Sequence, residues 1–481
     1  MLEIPPLPDS IRTGLPVEVQ AYIAALEAVI KTLQVELEVA QKQMAELEAR
    51  LGETSQNSSR PPSSDPPRAP PRPRRQASER KRGAQPGHPR HERALLDAEA
   101  VNDVIEHRPD ECPKCHTRLA VDLPDIQAPA RQQVWDIPVV KPHVTEHRYH
   151  RVGCPTCHEM VSAERPAEVP AGAFGAGVVA LVGLLRGRYR LSVRETADLL
   201  LDVFHLPVSP GGVIDLCQVL SSALAAPYLQ SQAALNAASH ANVDETGWKE
   251  AGKRCWLWVA VSVASTVFMI ATRSSKALNA LLGETYQGLV TSDRFKAYLT
   301  LAVERRQICW AHLKRNWQAF SERDGPVGQW GQEAVGLISQ WFHHWHQFQR
   351  GELDRMALQT HMHPIQIKLR QLLERGQTLP LNQAQAFCRD VLVLWPALWT
   401  FLVVEGVALT NNAAERALRP AVLWRKGCFG SQGKDGKIFV ARILTVATTC
   451  RQHHRPVLTF LTDAARAHLA GQPAPSLVGN S

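Results

Sequence analysis

No segment of this 481-residue sequence is long and apolar enough to read as a membrane span. The most apolar run, "CWLWVAVSVASTVFMIA" at 255–271, carries Ser262, Ser265 and Thr266 and is rich in β-branched residues. It reads as two buried strands and a turn. The opening "MLEIPPLPDS" lacks the basic start and apolar core of a secretory signal. These absences set the expectation of a cytoplasmic protein with no membrane partner. A disulfide framework is missing too. Of ten cysteines, four form two CxxC pairs and six are scattered singly, which suits a reducing compartment and one metal site. Acids are scarce between Arg60 and Arg93, where ten Arg/Lys face three Asp/Glu. That segment supplies +7 of a total net charge of +8, and a basic block of this kind suits a polyanion such as nucleic acid.

What is present falls into successive segments. Residues 1–53 contain Ile23, Leu26, Ile30, Leu33, Leu37, Ala40, Met44, Leu47 and Leu51, spaced by alternating threes and fours. That seam predicts an N-terminal coiled coil, hence a homodimer or higher assembly. Residues 54–95 form a linker whose nine prolines prevent a packed core and whose arginines can track phosphates. Residues 96–170 hold "CPKC" (Cys112, Cys115) and, 38 residues later, "CPTC" (Cys154, Cys157). Four thiolates in two knuckles, joined by a hairpin through the alternating stretch after Arg131, predict a zinc ribbon closed by four cysteines and therefore structural. His116 and His158 read as knuckle residues. Residues 171–236 look helical, with a break at 207–212. A helix-turn-helix-like DNA module and a plain helical packing unit both fit.

From 237 the pattern changes. Three strands, a short helix and two further strands over 237–319 give the order of a ribonuclease H-like α/β core. A helical insertion follows at 320–405, the last part of the core at 406–465, and a tail at 466–481. The fold class expected is thus multidomain α+β. His343, His344 and His346, interleaved with Trp341 and Trp345, read as an aromatic packing helix.

Asp244 and Asp293 are expected at the ends of the first and fourth strands of that core, neighbours in such a sheet. A glutamate from a later helix would complete an all-oxygen site of the kind magnesium or manganese takes. Glu415, in "TNNAAERALRP", is the candidate, with Asn412 as N-cap, Glu415 at N3 and Pro420 shortening or kinking the helix. Its competitors are Glu405, Glu284, Asp390 and Glu245, the last turned to the other face of its strand. Arg419 lies one turn beyond Glu415 on the same face, and Lys314 and Arg315, after "CWAH", are candidate contacts to a nucleic-acid backbone. Cys309 and His312 make only a pair, and read as packing residues.

Several pieces, in this order, carry a resemblance: "SSRPPSSD", "CPKC", "CPTC", "VDETGW", "SDRFKAY", "CWAHLKRNW", "NNAAERALRP" and "RKGCFGS". The sequence resembles the transposases of the insertion sequence 66 family from about residue 57 to 431. The resemblance implies a DDE-type DNA transposase with Asp244, Asp293 and Glu415 as its metal-binding triad. It implies that Arg416, Arg419, Arg425 and Lys426 hold DNA ends. The implied partners are double-stranded DNA, as terminal inverted repeats and target, together with accessory proteins of the element, in a nucleoid-associated setting. Two alternatives stay open: a DNA-binding protein with an inert nuclease domain, and a ribonuclease H-like nuclease or resolvase acting on branched DNA.

Overall fold

The computed structural model describes residues 8–51, 54 and 93–479. The expected basic linker lies almost wholly outside the described residues. Helix α1 (Asp9–Arg12) precedes α2 (Val17–Leu51), a single 35-residue helix. Its seam positions Leu33, Leu37, Met44 and Leu47 are all exposed. The chain divides into two units. One comprises Met1–Pro70, His147–Leu199 and Pro207–Ser481, and the other Pro71–Glu146 with Leu200–Leu206.

Strands β1 (Arg151–Gly153) and β2 (Met160–Ser162) form an antiparallel pair around the second CxxC. The alternating residues 131–150, expected to supply a hairpin strand, form no ladder. Their apolar members Val134, Ile137, Val139 and Val144 are exposed. Alternation yields a strand only where a neighbouring backbone supplies hydrogen bonds.

Next come α3 (Ala176–Gly187), α4 (Val193–Phe204), α5 (Pro210–Ala223) and α6 (Ala225–Asn236). Ser209 caps α5 through a bond from Gly212 N–H, with Pro210 preset for the first turn.

The sheet is built from β3 (His240–Glu250), β4 (Lys253–Val261), β5 (Thr266–Ala271), β6 (Leu289–Ser292) and β7 (Arg306–Ile308), with α7 (Ser275–Leu282) between β5 and β6. The order is β5-β4-β3-β6-β7. The first three strands are antiparallel, and β6 and β7 join in parallel. One face buries Ala241, Val243, Trp258, Ala260 and Val267 against Leu278 and Leu281 of α7.

The chain continues through α8 (Trp310–Ser321), α9 (Gly325–Gln349), α10 (Arg355–Gly376), α11 (Asn382–Val393) and α12 (Thr400–Val403). These share an aromatic core. Trp310 packs on Trp341 at 4.6 Å between ring centroids, and Trp317 on Trp330 at 4.4 Å. Trp341 and Trp345 are buried there, and His344 stacks on His361.

Helices α13 (Asn412–Cys428), α14 (Lys434–Gln452) and α15 (Val457–Leu469) close the chain. On the sheet's second face Trp248 meets Trp424 of α13, and Phe268 N–H donates to Thr445 of α14. α14 and α15 also receive α3 and α5. The segment expected as a helix-turn-helix-like module is therefore not free-standing, because α3 and α5 pack on the C-terminal helices. Gly187 is the tightest point of that contact. A Cβ there would lie 2.3 Å from Ile443 Cγ1 and 2.7 Å from Cγ2. Gly187→Ala is expected to destabilise this body by about 1–3 kcal/mol through overpacking. A thermal melt unchanged by Gly187→Ala would contradict the docking of α3 on α14. Among the described residues no single helix is long and apolar enough to cross a membrane. The bent pair α5–α6 meets that test by length and composition, and both of its helices pack on α14.

Candidate active site

Three acidic side chains distant in sequence come near one another at the open edge of the β3–β6 pairing. β3 pairs with β6 only through Asn242↔Thr291, while its other edge stays paired with β4 as far as Glu250. Asp244 is thus in mid-strand, not at a strand end as expected, because the β3–β4 hairpin outlasts the parallel pairing. What ends beside it is the neighbour. Asp293 follows β6 directly, and its carboxylate accepts from Phe295 N–H at 2.8 Å, fixing the turn that leaves the sheet.

Glu415 comes from α13, whose start is stitched to both sides of this edge. Asn411 Nδ2 donates to Val243 O at 2.7 Å, and Asn411 N–H donates to Cys309 Sγ at 3.1 Å. Trp310 N–H donates to Leu409 O at 3.0 Å. The N-cap is therefore Asn411, and no side chain caps the helix. This corrects the expectation of Asn412 as cap and Glu415 at N3. Asn411 spends its side chain on a tertiary bond, and Glu415 falls at the fourth helical position, free to face the sheet edge. Pro420 does not shorten the helix, which runs 17 residues to Cys428. Leu418, Ala421 and Trp424 bury both halves against the sheet. Exposed Arg416 carries the carbonyl that Pro420 cannot serve, so water can satisfy it.

The electrostatics reflect the crowding. Asp244 is pushed well above the usual carboxylate range, first by burial and then by Glu245, Asp293 and Glu415. Asp293 and Glu415 are raised too, chiefly by burial, with Arg315 and Arg416 partly offsetting it for Glu415. Arg315 lies 3.6 Å from the Glu415 carboxylate and His312 Nδ1 lies 3.7 Å from it. Glu245 faces away, held by Arg273 at 2.8 Å and the Tyr298 hydroxyl at 2.7 Å. Glu405 is exposed in a turn before α13.

A raised carboxyl pKa has a definite sign in stability. The folded state holds its proton more tightly than the unfolded chain. Stability is full at low pH and falls as pH rises from the unfolded value, about 4, through the raised folded one. Asp244→Asn is therefore expected to raise the melting temperature of cation-free protein near neutral pH, and to flatten this pH dependence. A differential melt of wild type and Asp244→Asn across the acidic range checks it, and a variant less stable than wild type at neutral pH would refute it.

Among the described residues, one set of potential ligand atoms lies mutually within 4.8 Å, from Cys309, His312 and Glu415. Sequence reasoning missed this set. The C-x-x-H spacing marks a pair at a helix start, and the third member arrives 103 positions after His312 by tertiary folding alone.

The basic candidates separate into two groups. Arg416, Arg419 and Lys426 are exposed on α13. The others make contacts within the protein: Arg425 donates to Gly247 O and to Thr246 Oγ1, Arg315 faces Glu415, and Lys314 lies over Phe342. The two CxxC knuckles share a local geometry. In the first, Cys112 N–H donates to Thr117 O and His116 takes a φ of 56°. In the second, Cys154 N–H donates to Glu159 O and His158 takes a φ of 61°. Backbone N–H groups of Cys157 and Thr156 lower the Cys154 thiol to about 7, which favours the thiolate a metal needs.

Comparison with known proteins agrees with these elements. The model of the Transposase IS66 family matches residues 171–437, which span the sheet, helices α3–α13 and the start of α14. The zinc-finger binding domain of transposase IS66 matches residues 109–158, enclosing both knuckles. A family of unknown function matches residues 3–94. Two curated relatives come from Sinorhizobium fredii (strain NBRC 101917 / NGR234). Uncharacterized protein y4hP is 27% identical over 220 residues, and uncharacterized protein y4qI 23% identical over 206. Each match covers 40% of this chain and 38% of the relative's length. With the transposase model covering more than half of the sequence and the zinc finger preceding it, the chain belongs to the IS66 family of transposases.

Proposed function

We propose that this chain binds the ends of its insertion sequence through the zinc finger and basic surfaces, and cleaves and transfers DNA strands at Asp244, Asp293 and Glu415. The observation that carries the reading is the convergence of these three carboxyls, with Asp244 raised by both of the others. Buried acids that repel one another fit a divalent cation, which replaces the missing water and cancels the repulsion. An all-oxygen set suits magnesium or manganese. When bound, such ions activate the attacking water or hydroxyl and stabilise the leaving oxygen of a phosphodiester. The strand order β5-β4-β3-β6-β7, with an antiparallel trio beside a parallel pair, supports a ribonuclease H-like core interrupted by the α9–α12 insertion. The exposed seam of α2 supports self-association as a coiled coil.

The protein's own groups have distinct parts in this scheme. Asp244 and Asp293 are held at fixed separation by the sheet, and Glu415 by Asn411. Arg315 beside Glu415 partly offsets the burial that raises its carboxyl. Arg419 projects from α13 one turn further on and meets a strand phosphate. The four knuckle cysteines hold structural zinc. The test is cleavage of duplexes carrying the element's terminal inverted repeats, with magnesium or manganese. No cleavage with either ion, while end binding persists, would sink the catalytic reading.

Arg419→Ala and Arg425→Ala should differ in kind. Arg419→Ala is expected to weaken DNA binding across sequences and to lower the salt slope of log K by about 1, without changing the melt. Arg425→Ala is expected to cost stability first, since its guanidinium ties α13 to β3. Salt titrations of binding alongside thermal melts separate them. An unchanged salt slope for Arg419→Ala would remove it from the interface.

A further inference from the structure

Cys309 is fully buried at the N-cap of α8, and its Sγ accepts an N–H bond from Asn411. His312, one turn in, directs its ring toward Glu415. His312 Nδ1 and Glu415 Oε1 are both buried, and neither has a hydrogen-bond partner. A tetrahedral zinc ion with ligands at 2.0–2.3 Å separates those ligands by roughly 3.3–3.8 Å. The 3.7 Å from His312 Nδ1 to Glu415 Oε1 is slightly longer than the roughly 3.3–3.5 Å of a nitrogen–oxygen pair on such an ion, and the whole set lies within 4.8 Å, so binding would draw the ligands together.

The chemistry differs from that of the carboxylates. A thiolate and an imidazole select zinc and similar thiophilic ions, while magnesium takes oxygen ligands. Burial, with Arg315 and Arg294 nearby, depresses His312 to about 3, so its ring is neutral and able to ligate. The same burial pushes the Cys309 thiol up to about 12. The thiol therefore stays protonated until an ion displaces its proton to solvent, one proton per ion bound.

We propose that Cys309, His312 and Glu415 form a second metal site, specific for zinc or a similar thiophilic divalent ion, that withdraws Glu415 from the catalytic carboxylates and so inhibits cleavage. Three protein ligands leave the fourth position to water. The inhibitory half rests on the proposed catalytic role of Glu415, while the binding half does not.

The test uses the full chain with its zinc finger already zinc-loaded, and cobalt(II) chloride as the probe. Wild type is expected to take up one further equivalent, with the near-ultraviolet band of a single thiolate–cobalt bond that added zinc abolishes. Cys309→Ser loses the band, and His312→Gln weakens cobalt binding by about 100-fold. His312→Gln is the check should Cys309→Ser fail to fold. In parallel, zinc titrated into a magnesium cleavage reaction should inhibit wild type, and should not inhibit His312→Gln relative to that variant's own zinc-free rate. A band that persists in Cys309→Ser comes from exchange into the finger and overturns the site, as does the absence of any second equivalent. Either result leaves the triad reading standing. Conversely, cobalt binding as described together with undiminished cleavage by Glu415→Gln would refute the triad and retain the metal site.

Discussion

Replacing Glu415 by glutamine is expected to lower strand cleavage by at least about a thousandfold, roughly 4 kcal/mol in the barrier, while end binding and melting stay near wild type. The substitution keeps the shape of the side chain and removes one negative charge. Its backbone N–H still donates to Asn411 O, and α13 keeps its burial through Leu418, Ala421 and Trp424. What changes is the charge offered to a cation beside Asp244. The measurement is single-turnover cleavage of end-bearing duplexes with magnesium and with manganese. A variant cutting within tenfold of wild type would mean that Glu415 is not part of the catalytic set. Exposed Glu405, a few residues earlier, is the control, and Glu405→Gln should cut normally.

Stripping zinc is expected to have an effect of comparable size on a different part of the chain. No residue from 101 to 168 is buried, so no hydrophobic core holds this stretch. Structural zinc contributes on the order of 10–16 kcal/mol to small domains of this kind, and their fold depends on it. Chelation, or Cys112→Ser or Cys154→Ser, should collapse amide protection at the two knuckles and weaken end binding. The melt of the sheet and its helices should be unchanged in Cys112→Ser and Cys154→Ser, since their cores around Trp258 and Trp317 are packed from apolar side chains of their own. Hydrogen exchange before and after chelation reads both regions at once. Protection that survives in both knuckles after zinc has demonstrably left would show that the metal is dispensable there.

These expectations show where the sequence was informative. The continuous apolar, β-branched run through "CWLWVAVS" and "TVFMIATR" has β4 and β5 as its structural counterparts, because both faces of those strands are buried. The membership of the family and of its zinc finger was legible from short ordered motifs. Tertiary choices were not. "TNNAAERALRP" offers two asparagines as cap, and local rules favour the one three residues before the glutamate. The structure uses Asn411 because Val243 O, some 168 positions away, takes its side chain. Likewise, nothing local reveals that Pro420 sits in a helix anchored on both sides, or that Arg425 turns inward to β3. The alternating stretch from Arg131 misled in the opposite sense over most of its length, since only its end, Arg151–Gly153, finds a partner strand.

The stitching at Asn411 has a further consequence. The chain leaves the sheet at Cys309 and returns at Leu409, and the two points are bonded to each other and to β3. The 99 residues between them form a loop whose mouth is sewn shut. Changes of length or content far from that mouth, in the turns joining α9, α10 and α11, do not move Glu415 relative to Asp244. This segment is thus expected to accept exchange as a cassette while Glu415 keeps its place beside Asp244.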